Sequence, residues 1–295
     1  MSFSTSRRRF LQAGTAVAAT GALAVAGEGM IFEANRTKLV SIEVPLPRLA
    51  ESWDGFRIAQ LSDLHYDDHF SSVPLRKAVD LVNGLQPDLV VVTGDFITSP
   101  FVKRRSLWVR AASAIEPCAQ LVAQMRARFG ILATLGNHDI STDPAHITAV
   151  LQAHGISVLR NRSVPLERDG GRLWLSGVDD VLEGRPDLQL TLRAIPQGEP
   201  VVLLAHEPDF ADYVHHVDLQ LSGHSHGGQI RIPLVGAPYL PVMGRKYPWG
   251  LRRIGPLTLY TNVGIGTIWM PMRLNCPPEV TLITLRATRG VTTRG

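Results

Sequence analysis

The residues of this chain best equipped for chemistry lie in Asp63-Leu64-His65, Gly94-Asp95, Gly136-Asn137-His138-Asp139 and Gly223-His224-Ser225-His226, with a lone His206 in Leu204-Ala205-His206-Glu207. Carboxylate, imidazole and amide oxygen form a ligand set for hard to borderline divalent ions such as Mn, Fe, Zn or Ni. None of these phrases contains a thiolate, which argues against a Cys-rich structural zinc site. An isolated Asp-x-His or His-x-His is common by chance, and a lone His after a strand is usually a hydrogen-bonded structural residue. An ordered series of such phrases points instead to a two-metal centre. Two dications about 3.5–4 Å apart lower the pKa of a shared water, supply hydroxide near neutral pH and clamp phosphoryl oxygens during in-line displacement.

Each phrase follows a short apolar run: Phe56 to Leu61, Asp88 to Val92, Ile131 to Leu135, Val201 to Leu204 and Val217 to Leu221. Runs of this length bounded by Gly or Pro read as buried strands. The polar residues then stand where strands give way to loops, the rim at which ligands gather on open α/β sheets. Helix-compatible stretches alternate with the strands at Leu75 to Leu85, Ala119 to Arg128, Pro144 to His154 and Pro208 to His215, as in a layered α/β architecture. Late strands at Leu257 to Val263 and Val280 to Leu285 are expected to complete a second sheet. Apolar content of 45% with 19% charged residues excludes a disordered chain.

On these motifs the sequence resembles the calcineurin-like metallophosphoesterases, from about Phe56 to the C-terminus. The resemblance implies an α/β fold, a two-sheet β-sandwich flanked by helices, and a phosphoester hydrolase with two divalent ions. It implies that Asp63, His65, Asp95 and His226 hold one ion, that Asp95, Asn137, His206 and His224 hold the other, and that Asp95 bridges them. His138 is then the candidate general acid that protonates the leaving alkoxide. Asp139 either orients His138 or caps the following segment. The second motif departs from the family pattern, because Thr98 stands where many members have an acid; that position bears on support of a ligand rather than on the number of metals.

The C-terminal segments Asn262-Val263-Gly264-Ile265-Gly266-Thr267 and Pro271 to Leu282 are similar to the YaeI-like and YkuE-like bacterial phosphodiesterases of that family. This branch implies a phosphodiesterase, often exported and membrane-associated, acting on a phosphoester, with a phospholipid-like substrate among the options. Two alternatives stand beside it. One is a lipid-linked nucleotide pyrophosphatase of the UDP-2,3-diacylglucosamine hydrolase kind, whose cytoplasmic reaction fits an exported enzyme poorly. The other is a non-catalytic scaffold, which the complete ligand set disfavours.

At the other end, Ser6-Arg7-Arg8-Arg9-Phe10-Leu11 fits the twin-arginine export consensus and leads into the uncharged Ala/Gly-rich stretch Ala13 to Ala26. With Ala24-Val25-Ala26 as a cleavage site, this is a signal-peptide layout; the plain alternative is a basic start followed by an ordinary helix. The expected organisation is a twin-arginine signal peptide at 1–26, a lead-in with the first strand at 27–55, and a metallophosphoesterase domain at 56–295. Export through the twin-arginine machinery would place the protein in the periplasm or cell envelope, at the membrane if the segment stays as an anchor. The whole chain carries a net charge of +4; without Arg7, Arg8 and Arg9 it is close to neutral, giving no reason to invoke nucleic acid.

The basic residues crowd after Gly227, at Arg231, Arg245, Lys246, Arg252, Arg253, Arg273, Arg286, Arg289 and Arg294, against Glu279 as the acid. They form either a solvated basic face or a surface for an anionic substrate or membrane. Within this half, Ile232 to Met243 is apolar and Pro-rich without a period of strand or helix, and reads as a long loop beside the His224/His226 motif. It either packs on the core or, if exposed, makes peripheral contact with lipid. Cys118 and Cys276 are expected as free thiols. His69 either lines the mouth of the site or sits on an exposed loop.

Overall fold

The computed structural model describes residues 27–100, 102 and 104–288, together with positions 12, 15 and 20. Apart from those three positions, the segment read as a signal peptide lies outside the described residues, and so do Arg289 and Arg294. Among the described residues no helix is long and apolar enough to cross a membrane.

The strands in chain order are β1 (Lys38–Leu46), β2 (Arg57–Leu61), β3 (Leu89–Thr93), β4 (Ile131–Thr134), β5 (Ile156–Val158), β6 (Arg162–Arg168), β7 (Gly171–Gly177), β8 (Val201–Leu204), β9 (Leu219–Ser222), β10 (Gly250–Ile254), β11 (Leu257–Thr261) and β12 (Glu279–Ala287). The helices are α1 (Ser72–Leu85), α2 (Arg105–Ser113), α3 (Ile115–Val122), α4 (Asn137–Thr142), α5 (Pro144–Ala153) and α6 (Leu188–Leu192). They build two mixed six-stranded sheets, ordered β1-β12-β2-β3-β4-β5 and β10-β11-β9-β8-β7-β6. β2, β3 and β4 run parallel in the first sheet, and β7, β8 and β9 run parallel in the second.

The continuous apolar runs follow from burial on both faces of each central strand, the usual condition of parallel sheets. Leu89 and Val91 of β3 meet Val202 and Leu204 of β8 in the core between the sheets. Val90 and Val92 turn to the other side and pack under Leu75, Val79, Ile115 and Leu151 of the helices. Val201 and Leu203 likewise face outward beneath Phe210 and Val217. Each run is therefore locked in register, since a slip of one residue would exchange the two apolar faces but misplace the polar residue at its end.

Several expectations change. β12 does not join the second sheet; it inserts between β1 and β2 of the first, antiparallel to β2. Pro208–Tyr213 is a 3-10 turn rather than a full helix. α2, α4 and α6 appear where no helix was read, and the helix expected over Ala119 to Arg128 is α3, which ends at Val122. α6 is capped by Asp187, whose side chain accepts from the Leu190 amide, and so short an element carries little periodicity to detect.

Candidate metal centre

The ends of β2, β3, β4, β8 and β9 meet at one rim, the place where both sheets release their C-terminal loops. The loops hold one another through their backbones: the Asp63 amide donates to the Gly94 carbonyl at 2.9 Å, the His65 amide to Asp95 at 3.0 Å, and the Gly223 amide to His206 at 2.9 Å. Asp63, His65, Asp95, His224 and His226 all have positive φ, between 39° and 67°, a region that residues with a Cβ seldom occupy and that costs roughly 1–3 kcal/mol each. Such conformations persist where the surroundings over-determine them. Gly136 shows how tight the floor is, because a Cβ there would lie 2.3 Å from Asp95 Oδ1.

Asp63, His65, Asp95, His206, His224 and His226 are buried, while Asn137 and His138 are half-buried. Ligand atoms of Asp63, His65 and His226 lie within 4.8 Å of one another, as do those of Asp63, Asp95 and His206. Asp95 Oδ2 is 3.5 Å from His65 Nε2 and 3.2 Å from His206 Nε2, so one carboxylate oxygen faces both sets. His226 Nε2 is 3.3 Å from Asp63 Oδ1, and His224 Nδ1 is 3.1 Å from Asn137 Oδ1.

For His206 and His224 the outward nitrogen is fixed as the donor by a backbone carbonyl. His206 Nδ1–H donates to the Thr93 carbonyl at 2.6 Å, and His224 Nε2–H to the Val242 carbonyl at 2.8 Å. His65 Nδ1 bonds the Thr98 hydroxyl at 2.9 Å. Partners of this kind orient metal-binding imidazoles and set their tautomers. The consequence inside is unusual for a protein interior: His65 Nε2 and His226 Nε2 face each other at 3.1 Å, and His206 Nε2 is buried with no hydrogen-bond partner. Burial pushes the imidazoles of His65 and His226 well below their usual range and His224 down to about 4, which keeps them neutral, the form that binds a metal. Burial opposes ionisation of Asp95, yet His206, His138 and His65 around it hold its carboxyl well below the usual range. His206 goes the other way: burial opposes its protonation, but Asp95 beside it holds its imidazole well above the usual range. The donor set of imidazoles, carboxylates and an amide oxygen fits divalent ions, which would take the place of that proton.

The family profile of calcineurin-like phosphoesterases matches residues 56–228. The chain is 34% identical over 292 residues to the metallophosphoesterase YkuE of Bacillus subtilis, covering 96% of this chain and 98% of that one. It is 32% identical over 288 residues to the phosphodiesterase YaeI of Escherichia coli, covering 95% and 99%. The chain belongs to the calcineurin-like phosphoesterase family. Among solved structures, the NAD nucleotidase of Haemophilus influenzae aligns over 71% of this chain and 50% of that one, at 15% identity and a TM-score of 0.48. The protein is thus a metallophosphoesterase, a hydrolase, and its candidate two-metal site is intact.

Asp139 is a cap rather than a partner of the His138 ring. It is fully buried and accepts from the amides of Phe96, Ile97 and Gly136, tying the second metallophosphoesterase motif to the third. Burial, with Asp95 nearby, pushes its carboxyl up to about 8. The residue that orients His138 is Ser99, which the sequence reading passed over. Its amide donates to His138 Nδ1 at 3.1 Å and its hydroxyl lies 2.7 Å from the same atom. An amide can only give its hydrogen, so Nδ1 accepts and the neutral ring carries its proton on Nε2. Thr98 stands behind His65, the supporting position expected from its place in the motif.

Glu207 was also missed. It clusters with His206 and His224, and burial, opposed by His206 and aided by Asp180, raises its carboxyl well above the usual range. Only its adjacency to His206 could have signalled it. The basic run after Gly227 does not form one face. Arg273 is fully buried, donating to the carbonyls of Val263, Gly266 and Cys276. Arg231 lies over the Trp249 ring at 4.0 Å, Lys246 pairs with Asp212 at 2.7 Å, and Arg252 and Arg253 sit on the exposed edge strand β10. His69 is exposed and lines a separate hollow with Met30 and Phe70. Cys118 and Cys276 are free and buried. The apolar loop does not pack down on the core, since Leu234, Val235, Tyr239 and Val242 are exposed.

Proposed function

We propose that this metallophosphoesterase is a phosphodiesterase in which Asp63, His65, Asp95 and His226 hold one divalent ion, Asp95, Asn137, His206 and His224 hold a second, and His138 acts as general acid. The observation that carries the reading is that His65 Nε2 and His206 Nε2 both turn onto Asp95 Oδ2, at 3.5 and 3.2 Å, with their other ring nitrogens held from outside by Thr98 and by the Thr93 carbonyl. When bound, two dications acidify an attacking water and neutralise phosphoryl charge. The residues of the chain do the rest. Asp95 presents Oδ2 between the two ligand sets, while its Oδ1 accepts from the His138 amide at 2.9 Å, so the general acid is placed by the bridging carboxylate itself.

In hydrolysis the water oxygen bonds to phosphorus, one ester P–O bond breaks, and the departing alkoxide takes the Nε2 proton of His138 in its imidazolium form, which leaves the ring neutral with its remaining proton on Nδ1 and gives a phosphomonoester and an alcohol. The Ser99 hydroxyl suits both halves of that cycle, because it can give a hydrogen to Nδ1 or accept one from it. Among the described residues lining the cavity over this floor there is no Lys or Arg, which suits a singly charged diester better than a dianionic monoester. The phosphodiesterase named YaeI supports the same choice. We extend the proposal to residues 1–26 as a twin-arginine signal that delivers the enzyme to the cell envelope, on the strength of Ser6 to Leu11 and the uncharged stretch behind it.

The test is to strip the protein of metal, restore Mn, Zn, Ni or Mg, and compare an aryl phosphodiester with the matching monoester. Metal-restored turnover that prefers the diester is the expected result. Preference for the monoester, or turnover indifferent to added metal, would overturn the reading.

A further inference from the structure

Above the metal floor opens a cavity of about 500 Å³, within the size range of small-molecule sites. Asp95, Asn137, His224 and His226 lie at its base, and Ile230, Tyr239, Val242, Ile268, Trp269 and Met270 line its walls. These walls are built, and built onto the metal motif. The buried Gln229, three residues past His226, spends its whole side-chain amide on the opposite wall: Nε2 donates to the carbonyls of Ile268 and Met270 at 3.1 Å each, and Oε1 accepts from the Ile268 amide at 2.8 Å. Gly228 lets the other wall close in, since a Cβ there would stand 2.2 Å from that of Ala237. Tyr239 and Trp269 meet across the gap with ring centroids 4.9 Å apart. The Val242 carbonyl that holds His224 belongs to this same wall.

The side chains so held are apolar and stand in water: Val242 is 57% exposed, Trp269 58% and Met270 53%. Holding large apolar groups at the mouth of a site costs free energy unless a ligand covers them. A nucleotide, sugar or second phosphate would need polar partners there, yet Gln229 is already committed to backbone and no Lys or Arg among the described residues lines the cavity.

We infer that these walls bind the hydrocarbon chain of a lipid phosphodiester whose phosphoryl group rests on the metal floor. This rests on the phosphodiesterase reading for the position of the phosphoryl group, and it adds the chemistry of the group attached to it. Binding and turnover separate the two. Full-length protein loaded with Mn is titrated calorimetrically with methyl-, butyl-, octyl- and dodecylphosphonate below their micelle concentrations. Affinity is expected to climb with chain length, by up to about four-fold per methylene for full burial. Met270→Asp and Trp269→Ala, at positions more than half exposed, should lower the octyl-to-methyl affinity ratio by about ten-fold or more. A flat series in the parent protein overturns the inference, and so does a steep series that both variants leave intact. In parallel, p-nitrophenyl phosphodiesters carrying the same alkyl groups are assayed for hydrolysis. Diester turnover with a flat binding series sinks only the hydrocarbon site, whereas a steep binding series without diester turnover sinks the phosphodiesterase reading and leaves the site standing.

Discussion

Asp63, Asp95, Asn137, His206, His224 and His226 hang from the ends of strands in both sheets, while Ile230, Tyr239, Val242, Ile268 and Trp269 come from loops between β9 and β10 and after β11. The two groups share one cavity and are made by different rules. On the floor all of these side chains but the half-buried Asn137 are buried, the backbones of Asp63, Asp95, His224 and His226 are forced to positive φ, and the outward nitrogens of His206 and His224 are committed to backbone carbonyls. On the walls Tyr239, Val242 and Trp269 are exposed and Ile230 and Ile268 half-buried, and Gln229 holds the backbone around Trp269. A floor of that kind fixes a reaction to fractions of an ångström, and walls of that kind fix only the sort of molecule admitted.

The contrast breaks most visibly at His138. His138→Asn should lower kcat by about 10²–10⁴-fold with metal content unchanged, and the loss should deepen as the leaving alcohol becomes a poorer leaving group; a uniform loss across leaving groups would remove His138 from the proton transfer. A smaller effect is expected one step behind the floor. Thr98→Val takes away the hydroxyl that holds His65 Nδ1 and should weaken metal affinity by about 10–100-fold, read by competition with a chelating dye, while saturating metal restores most of the turnover. If the affinity does not move, the Thr98 contact does not set the ligand.

The smallest effect belongs to the wall side. Asp179 holds the loop that carries Leu182 to the cavity, through Arg160 at 2.9 Å and the Arg185 amide at 3.0 Å. Partial burial opposes its ionisation, but Arg160 and the amides hold its carboxyl below the usual value of 3.8. A carboxyl with a depressed pKa stabilises the folded state above its unfolded value, and that contribution is lost as pH falls through the folded value. Asp179→Asn should therefore cost about 1 kcal/mol at neutral pH, measured by urea unfolding, and the parent and variant curves should converge in acid once Asp179 is protonated in the folded state, below its usual value of 3.8. A difference that persists there would mean that the charge of Asp179 is not what holds the loop.

The floor was legible because residue type and position are both dictated. Asp63, Asp95, His206, His224 and His226 each follow an apolar run whose two buried faces admit no ambiguity about where the strand stops. What lay behind the floor was harder to see. Ser99 holds the His138 ring, and Asp139 ties two loops together, because of distances across the fold that no local pattern encodes. Arg273 read as one more surface cation, yet it is sealed among backbone carbonyls, an environment invisible from its neighbours in sequence. β12 illustrates the same limit at the level of the sheet: its apolar run identified a strand, but the partner was set by the room between β1 and β2, not by the run. The Ile232 to Met243 loop has no periodicity, so its exposure and its contact with Trp269 through Tyr239 became apparent only in three dimensions.

The central claim is that one carboxylate, Asp95, joins two ions. It is tested most directly by loading the metal-stripped full-length protein with Mn and recording stoichiometry together with the electron paramagnetic resonance spectrum. The account predicts two ions per chain with the multiline signal of an exchange-coupled pair, and Asp95→Asn should abolish the coupling. A single ion per chain, or two ions with the spectrum of isolated Mn, would contradict it.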